Sequence, residues 1–361
     1  MQRVVIGLSG GVDSSVAAYL LKEQGYEVVG LFMINWHDTT GTLEGDCPWH
    51  DDRVFAELVA RRLDIPFHVV DLSEEYRRRV VDYMFAEYER GRTPNPDVLC
   101  NREIKFDVFL KEALRLGADF VATGHYCRRE CVAAADGTEH YRLLAGVDGN
   151  KDQSYFLACL NQEQLSRIQF PLGGLTKQEV RAIAEENGFI NARKHDSQDI
   201  CFVPDGDYAA FLERYTGRHY PAGDFLDETG RVVGKHRGAV CYTLGQRKGL
   251  GLAMGAPVYV CGKDMEKNTV TVGPNEALFS SALRGNNWVW YPFPELTEPV
   301  RVTVKTRHSQ TEQPGTVYPE ADGFARVEFD VPQRAVTPGQ AVVVYQGDLV
   351  VGGGTITEAI R

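Results

Sequence analysis

Two groups of residues in this chain of 361 could do chemistry: a loop of serines and glycines ending in an acid, and two distant cysteines that each follow an aspartate closely. The loop is Gly7-Leu8-Ser9-Gly10-Gly11-Val12-Asp13-Ser14-Ser15. Gly10 and Gly11 let the backbone approach a ligand with no Cβ in the way. Ser9, Ser14 and the first free N–H groups of a following helix then converge on one point, which suits an anion. The helix dipole adds partial positive charge there, so phosphate or pyrophosphate is the natural occupant, and Asp13 fits if a Mg²⁺ ion accompanies it. An ordinary glycine turn is the alternative. The loop's place between the apolar run Val4-Val5-Ile6 and the helical pattern Val16-Ala17-Ala18-Tyr19-Leu20-Leu21 favours the anion site. The spacing is neither G-x-x-x-x-G-K-[ST] nor G-x-G-x-x-G.

The first cysteine lies in Asn95-Pro96-Asp97-Val98-Leu99-Cys100-Asn101. Asn as cap and Pro at the first position predict a short helical turn, on which Asp97 and Cys100, three apart, share a face. A thiol near a helix start, with Arg102 and Lys105 close in sequence, is expected to be partly thiolate at neutral pH, with Asp97 placed to move a proton. On residue type alone a cysteine is more often an inert core side chain and such an aspartate a mere cap. The second cysteine stands in His195-Asp196-Ser197-Gln198-Asp199-Ile200-Cys201-Phe202-Val203 and, read alone, is a buried strand residue.

The elements that must position these groups alternate. Helical spacing over 51–63, 74–90 and 106–116 interleaves with apolar strands over 26–34, 67–72 and 119–125. That alternation predicts a doubly wound α/β domain with a parallel sheet, whose ligands bind beyond the carboxyl ends of the strands. Gly7, Met33 and Gly124 fall on that edge, although Met33 read alone is equally a core side chain. From about Gly206 the alternation stops. A helix over 208–215 and glycine-rich turns such as Tyr242 to Gly251 predict a small β-rich unit with exposed basic turns, and period-two strands beyond Pro274 predict a small antiparallel β-barrel. The expected domains are therefore 1–205, 206–274 and 275–361.

A net charge of −11 counts against a protein that simply coats nucleic acid, so any RNA would meet local basic surface. Candidates are Arg77-Arg78-Arg79, Arg128-Arg129, Lys151, Arg193-Lys194, Arg247-Lys248 and Lys305 with Arg307, each permissive only. The eight cysteines are scattered and form no C-x-x-C, which argues for a reducing compartment and against zinc or an iron–sulfur cluster; Cys127 and Cys131 read as structural. No apolar run is long enough to cross a bilayer and the start enters a strand directly, so a cytoplasmic enzyme is expected.

The Ser-Gly-Gly-x-Asp-Ser pattern resembles the pyrophosphate loop of the N-type ATP pyrophosphatases, which split ATP between the α and β phosphates. Six motifs in order extend the likeness over nearly the whole chain: that loop, Asn95 to Asn101, Gly124-His125-Tyr126, Lys151 to Leu157, Asp196 to Phe202 and Thr243 to Leu250. Together they resemble the bacterial tRNA-specific 2-thiouridylases. The resemblance implies ATP-dependent 2-thiolation of wobble uridine 34 in tRNA, with Mg²⁺ and ATP, an anticodon stem-loop as partner and a persulfide donor or sulfur-relay protein. It implies ATP binding by Gly7, Leu8, Ser9, Gly10, Gly11, Val12, Asp13, Ser14, Met33 and Gly124, with Asp13 beside the metal. It makes Cys100 the nucleophile, Cys201 the persulfide carrier, Asp97 the acid/base, and Cys100–Cys201 a transient disulfide. Asn95, Pro96 and Asp97 would touch the target base; Lys151, Asp152, Gln153, Arg307 and His308 would contact tRNA. The family usually has Arg-Tyr where this chain has Arg307-His308, and histidine can still stack on a base or bond a phosphate. Two rivals remain: an amide-forming ligase with the same loop, which has no use for the two cysteines, and a non-catalytic RNA-binding factor, which would tolerate loss of Asp13 and Ser14.

Overall fold

The computed structural model describes residues 1–37, 49–133, 137–195 and 208–361. The chain forms two compact units: Met1–Val80, Asp97–Phe202 and Gly347–Val351 in one, Val81–Pro96, Val203–Gln346 and Gly352–Arg361 in the other.

The first unit is built on a parallel sheet. Strands β1 (Arg3–Gly7), β2 (Glu27–Ile34), β3 (Phe67–Asp71) and β4 (Phe120–Ala122) lie in the order β3-β2-β1-β4, with Ile168–Gln169 beyond β4. Val4, Val5 and Ile6 are all fully buried, as a central strand covered on both faces requires. Side-chain alternation turns Val4 and Ile6 towards the core they share with helices α1 (Val12–Glu23) and α2 (Trp49–Leu63) and with Lys177–Glu186. On the other face the ring of Phe109 comes within 3.6 Å of where a Cβ on Gly7 would sit. Parallel pairing brings the carboxyl ends of β1, β2 and β4 to one edge, and with them Gly7, Met33 and the turn at Gly124.

The helices between strands differ from expectation in winding. The run predicted over 74–90 is α-helical at Ser73–Tyr76 and Asp82–Glu89 but π-wound between, at Arg77–Val81. The helix predicted from Phe106 begins at Pro96: an α turn Pro96–Leu99 leads into a π segment Cys100–Val108 and then α at Phe109–Arg115. Ile104, Phe106 and Phe109 are fully buried along this run, and its π winding is a feature that a 3.6-residue pattern does not encode. The hairpin Cys127–Ala133 with Glu139–Ala145 has no sequence signal, because its strands carry Arg128, Arg129, Glu130 and Arg142 in place of an apolar alternation. Leu144 of that hairpin pairs with Leu349.

In the second unit, Phe211 and Tyr215 of the helix Tyr208–Thr216 pack on Phe85, with ring centroids 5.7 and 4.7 Å away. A four-stranded sheet (Gly223–Leu226, Val232–His236, Tyr259–Asp264, Thr269–Gly273) encloses Phe225, Tyr242, Val260 and Val270. The C-terminal barrel orders Phe279–Trp290, Ala325–Arg334, Gln313–Pro319, Val300–Lys305, Ala341–Gln346 and Leu349–Ile360, and the first and last strands pair to close it. At that seam Trp288 and Trp290 stack at 4.7 Å with planes 5° apart. A Cβ on Gly354 would lie 2.7 Å from the Trp288 ring and one on Gly352 2.4 Å from that of Trp290, so the glycines there make room for indole.

Leu283, fully buried on the first barrel strand, reports on the closed barrel. Leu283→Ala is expected to lower the unfolding free energy by about 2–5 kcal/mol, measured by urea denaturation of the full chain.

Candidate functional site

Beyond Gly7 the chain turns through Leu8, Ser9, Gly10 and Gly11 into α1. Gly10 has a φ of +76°, and a Cβ there would lie 2.2 Å from the backbone oxygen of Asp52 in α2, so both conformation and space require glycine. Serine hydroxyls hold the loop. The Ser9 N–H donates to Ser14 Oγ (3.2 Å), while the Ser14 and Ser15 hydroxyls donate to the Gly11 carbonyl at 3.1 and 2.9 Å. From below, the buried Asn191 amide donates to the Gly10 carbonyl (3.0 Å) and to Ser15 Oγ (2.9 Å). Gly11 is the N-cap of α1 and, among the described residues, no side chain caps the helix, so its first-turn N–H groups keep their capacity for an outside acceptor.

Asp13 in that first turn is not isolated. Lys177 places Nζ 2.8 Å from both carboxylate oxygens, and the Tyr126 hydroxyl donates to Oδ1 at 2.7 Å. Tyr126 in turn exchanges backbone contacts with Gln153: its N–H donates to Gln153 Oε1 and its carbonyl accepts from the Gln153 N–H, both at 3.0 Å. Gln153, Tyr126, Asp13 and Lys177 thus form one chain of polar contacts, which ties the 151–153 stretch to the loop. Asp152 is also engaged internally, accepting from the N–H groups of Gly146 (3.0 Å) and Ser154 (3.1 Å) and from the Ser154 hydroxyl (2.8 Å).

Gly124 lies against the start of α1, where a Cβ would come 2.8 Å from Asp13 C and Ser14 N. Met33 lies across the end of β1, its Cε 3.7 Å from a Cβ position on Gly7. Both residues therefore border the loop. Sequence reasoning missed Lys177 and Asn191. Lys177 carries a readable signal, the capping box of Thr176 with Glu179, which marks it as the first residue of a helix; Asn191 sits in a turn that carries none.

Asp97 is exposed on the α turn and Cys100, 8% exposed, opens the π segment. Cys100 is thus the fifth residue of the helical run, one position past the N–H groups that a helix start leaves unbonded. Of the cations expected near it, Arg102 donates from Nε to Glu103 (2.8 Å). The neighbouring buried Asn101 reaches the Phe156 carbonyl at 3.4 Å, bringing the Cys100 helix to the segment that follows Gln153. Asn95 is half-buried just before Pro96, and Lys151 is half-buried in the turn after Asp148. Arg307 and His308 are exposed in the turn after the strand Val300–Lys305. Cys201, with the rest of Asp196 to Asp207, lies outside the described residues, as does Cys47.

Burial holds His125 well below the usual histidine range, and the charge of Lys105 adds to the effect; its ring lies 5.9 Å from that of Phe106 and 2.7 Å separates Nδ1 from Thr123 Oγ1. Burial likewise pushes the Cys127 and Cys159 thiols up, so neither is a ready nucleophile. The unfolded chain protonates His125 near pH 6.5 while the folded chain resists, so stability is full above that pH and declines as pH falls towards the depressed folded value. The expected outcome is a fall in urea midpoint between about pH 6.5 and 5 that is shallower in His125→Asn, with a readout confined to unfolding.

The family model described as "tRNA methyl transferase HUP domain" matches residues 2–205, "tRNA methyl transferase PRC-barrel domain" matches 209–274, and "Aminomethyltransferase beta-barrel domain" matches 280–356. A protein named tRNA-specific 2-thiouridylase MnmA from Flavobacterium johnsoniae is 48% identical, covering 99% of this chain and 100% of its own length. Proteins of the same name from Halalkalibacterium halodurans and Geotalea uraniireducens are each 50% identical, covering 99% and 100% of this chain and 95% and 96% of their own lengths. At that identity, sustained from end to end, the chain belongs to the MnmA family of tRNA-specific 2-thiouridylases.

Proposed function

We propose that this chain is a tRNA-uridine 2-sulfurtransferase that replaces the C2 oxygen of wobble uridine 34 with sulfur, at the expense of ATP. The observation that carries the reading is the full-length identity to proteins of that name. The uncapped start of α1 supports the ATP part of it.

A uridine C2 oxygen is a poor leaving group. Attack of that oxygen on the α phosphate of ATP makes it an adenylate and expels pyrophosphate, whose charge the loop from Ser9 to Ser14 and the α1 dipole would stabilise. Met33 and Gly124 border the loop and would face the adenosine half. For Mg²⁺, Asp13 is one half-buried carboxylate, and among the described residues no cluster of three His, Cys, Asp or Glu side chains could cage an ion. The residues therefore suit an ion that brings most of its oxygen shell from the phosphates, with Asp13 as its protein contact; when bound it offsets phosphate charge as pyrophosphate departs.

Sulfur enters through thiols. A persulfide on Cys201, loaded by a persulfide donor or relay protein, carries a transferable outer sulfur. Its outer sulfur displaces AMP at C2 and Cys100 thiolate then attacks Cys201 Sγ, or Cys100 attacks first and releases hydrosulfide that displaces AMP. Either order leaves 2-thiouridine and a Cys100–Cys201 disulfide, which a thiol reductant reopens. Asp97 moves the proton at the base, Asn95 and Pro96 touch it, and Lys151, Asp152, Gln153, Arg307 and His308 contact the tRNA. The anticodon loop is single-stranded, so presenting its base costs little. A catalytic domain over 1–205, a central domain over 206–274, a tRNA-contacting barrel over 275–361 and a cytoplasmic location complete the proposal; no helix among the described residues is long and apolar enough to cross a membrane.

The test is mass spectrometry of nucleosides from tRNA incubated with the enzyme, ATP and a persulfide donor. 2-Thiouridine is expected with the natural chain and absent with Cys100→Ser and with Cys201→Ser, while both variants still bind ATP. Thiolation by either variant would overturn its assigned role.

A further inference from the structure

The loop before α1 lacks the lysine that follows the glycines in the commoner phosphate loop, and its own charged side chain is the acid Asp13. An acid at the mouth of a site for a triphosphate repels the ligand unless a cation answers it. Lys177 is that cation. Its side chain is 12% exposed, its ammonium spans both oxygens of Asp13 at 2.8 Å, and it lies 5.9 Å from the centre of the Tyr126 ring. Its backbone is fixed: the Thr176–Glu179 capping box sets the helix start, and the Lys177 N–H donates to Asp148 Oδ2 at 3.0 Å. Asp13 is the second residue of α1, so the bond places a largely desolvated positive charge at the same helix end as the open N–H groups.

We infer that Lys177 is a phosphate-binding residue of the nucleotide site, a loop lysine supplied by a distant helix, which Asp13 holds in place and which turns to the β and γ phosphates of ATP. The inference rests on the reading of the loop as an ATP site. A flexible four-carbon stem on a rigid base suits this exchange, because the ammonium can leave one anion for another without moving the backbone. Tyr126, bonded to the same Asp13 oxygen, keeps the carboxylate in place when the lysine turns away. A purely structural ion pair would leave nucleotide selectivity alone; a phosphate ligand sets it, since AMP lacks the groups that Lys177 would contact.

The experiment is isothermal titration of the full chain, and of Lys177→Met and Lys177→Arg, with α,β-methylene-ATP and with AMP, both in the presence of Mg²⁺. Loss of one charge-assisted phosphate contact is expected to weaken the ATP analogue by about 10- to 100-fold in Lys177→Met. AMP affinity should change by less than about twofold, which also shows the variant folded, and Lys177→Arg should recover most of the loss. Analogue binding by Lys177→Met equal to that of the natural chain, or an equal loss of analogue and AMP, would overturn the inference while leaving the ATP site standing. Failure of the natural chain to bind the analogue would instead overturn the ATP reading itself, and this inference with it.

Discussion

The helix start at Gly11 is the constraint around which the first unit is arranged. A helix whose first turn has no side-chain cap among the described residues carries partial positive charge that must be met by something, and here it opens at the carboxyl edge of a parallel sheet. Holding it there takes several elements. Gly10 is pressed against Asp52 of α2, Gly124 lies against the backbone of Asp13 and Ser14, and Asn191 binds the loop carbonyl that the serines do not use. Each of these contacts leaves the donors of the first turn uncommitted while removing freedom from the backbone that bears them. A site fixed in this way needs no rearrangement when charge develops on a ligand, which is the main source of electrostatic stabilisation in catalysis.

The polar chain from Gln153 through Tyr126 to Asp13 and Lys177 extends that constraint outward. It links a segment between strands to the loop after β1 by contacts of 2.7 to 3.0 Å. The nearby contact of Asn101 with Phe156 brings the Cys100 helix to the same segment. The π winding that starts at Cys100 enlarges the helix where the thiol sits, a distortion that costs hydrogen-bond geometry and is commonly retained at functional positions.

Much of this was legible in the sequence because the signals are local. Continuous apolar runs gave the buried strands β1 and β2, the Gly-Ser loop gave the turn into α1, Asn95-Pro96 gave the short helical start, and period-two patterns gave barrel strands after Pro274. What was hidden depends on contacts between distant positions. The partner of Asp13 lies on a helix that begins at residue 177, and nothing in either segment names the other. The hairpin from Cys127 to Ala145 escaped because its strands are charged and half-exposed, held by ladder bonds and by Arg128 to the Ala145 carbonyl rather than by an apolar face. The stacked Trp288 and Trp290 account for Gly352 and Gly354, whose lack of a Cβ leaves room for the two indole rings, a contact between distant positions that no local pattern reveals.

The most direct measurement is the identity of the products when purified enzyme, radiolabelled ATP, a persulfide donor and unmodified tRNA are mixed. Attack by the uridine oxygen on the α phosphate predicts AMP and pyrophosphate in equal amounts, matched by the sulfur incorporated and formed only when tRNA is present. Release of ADP and phosphate, or brisk formation of AMP without tRNA, would contradict it.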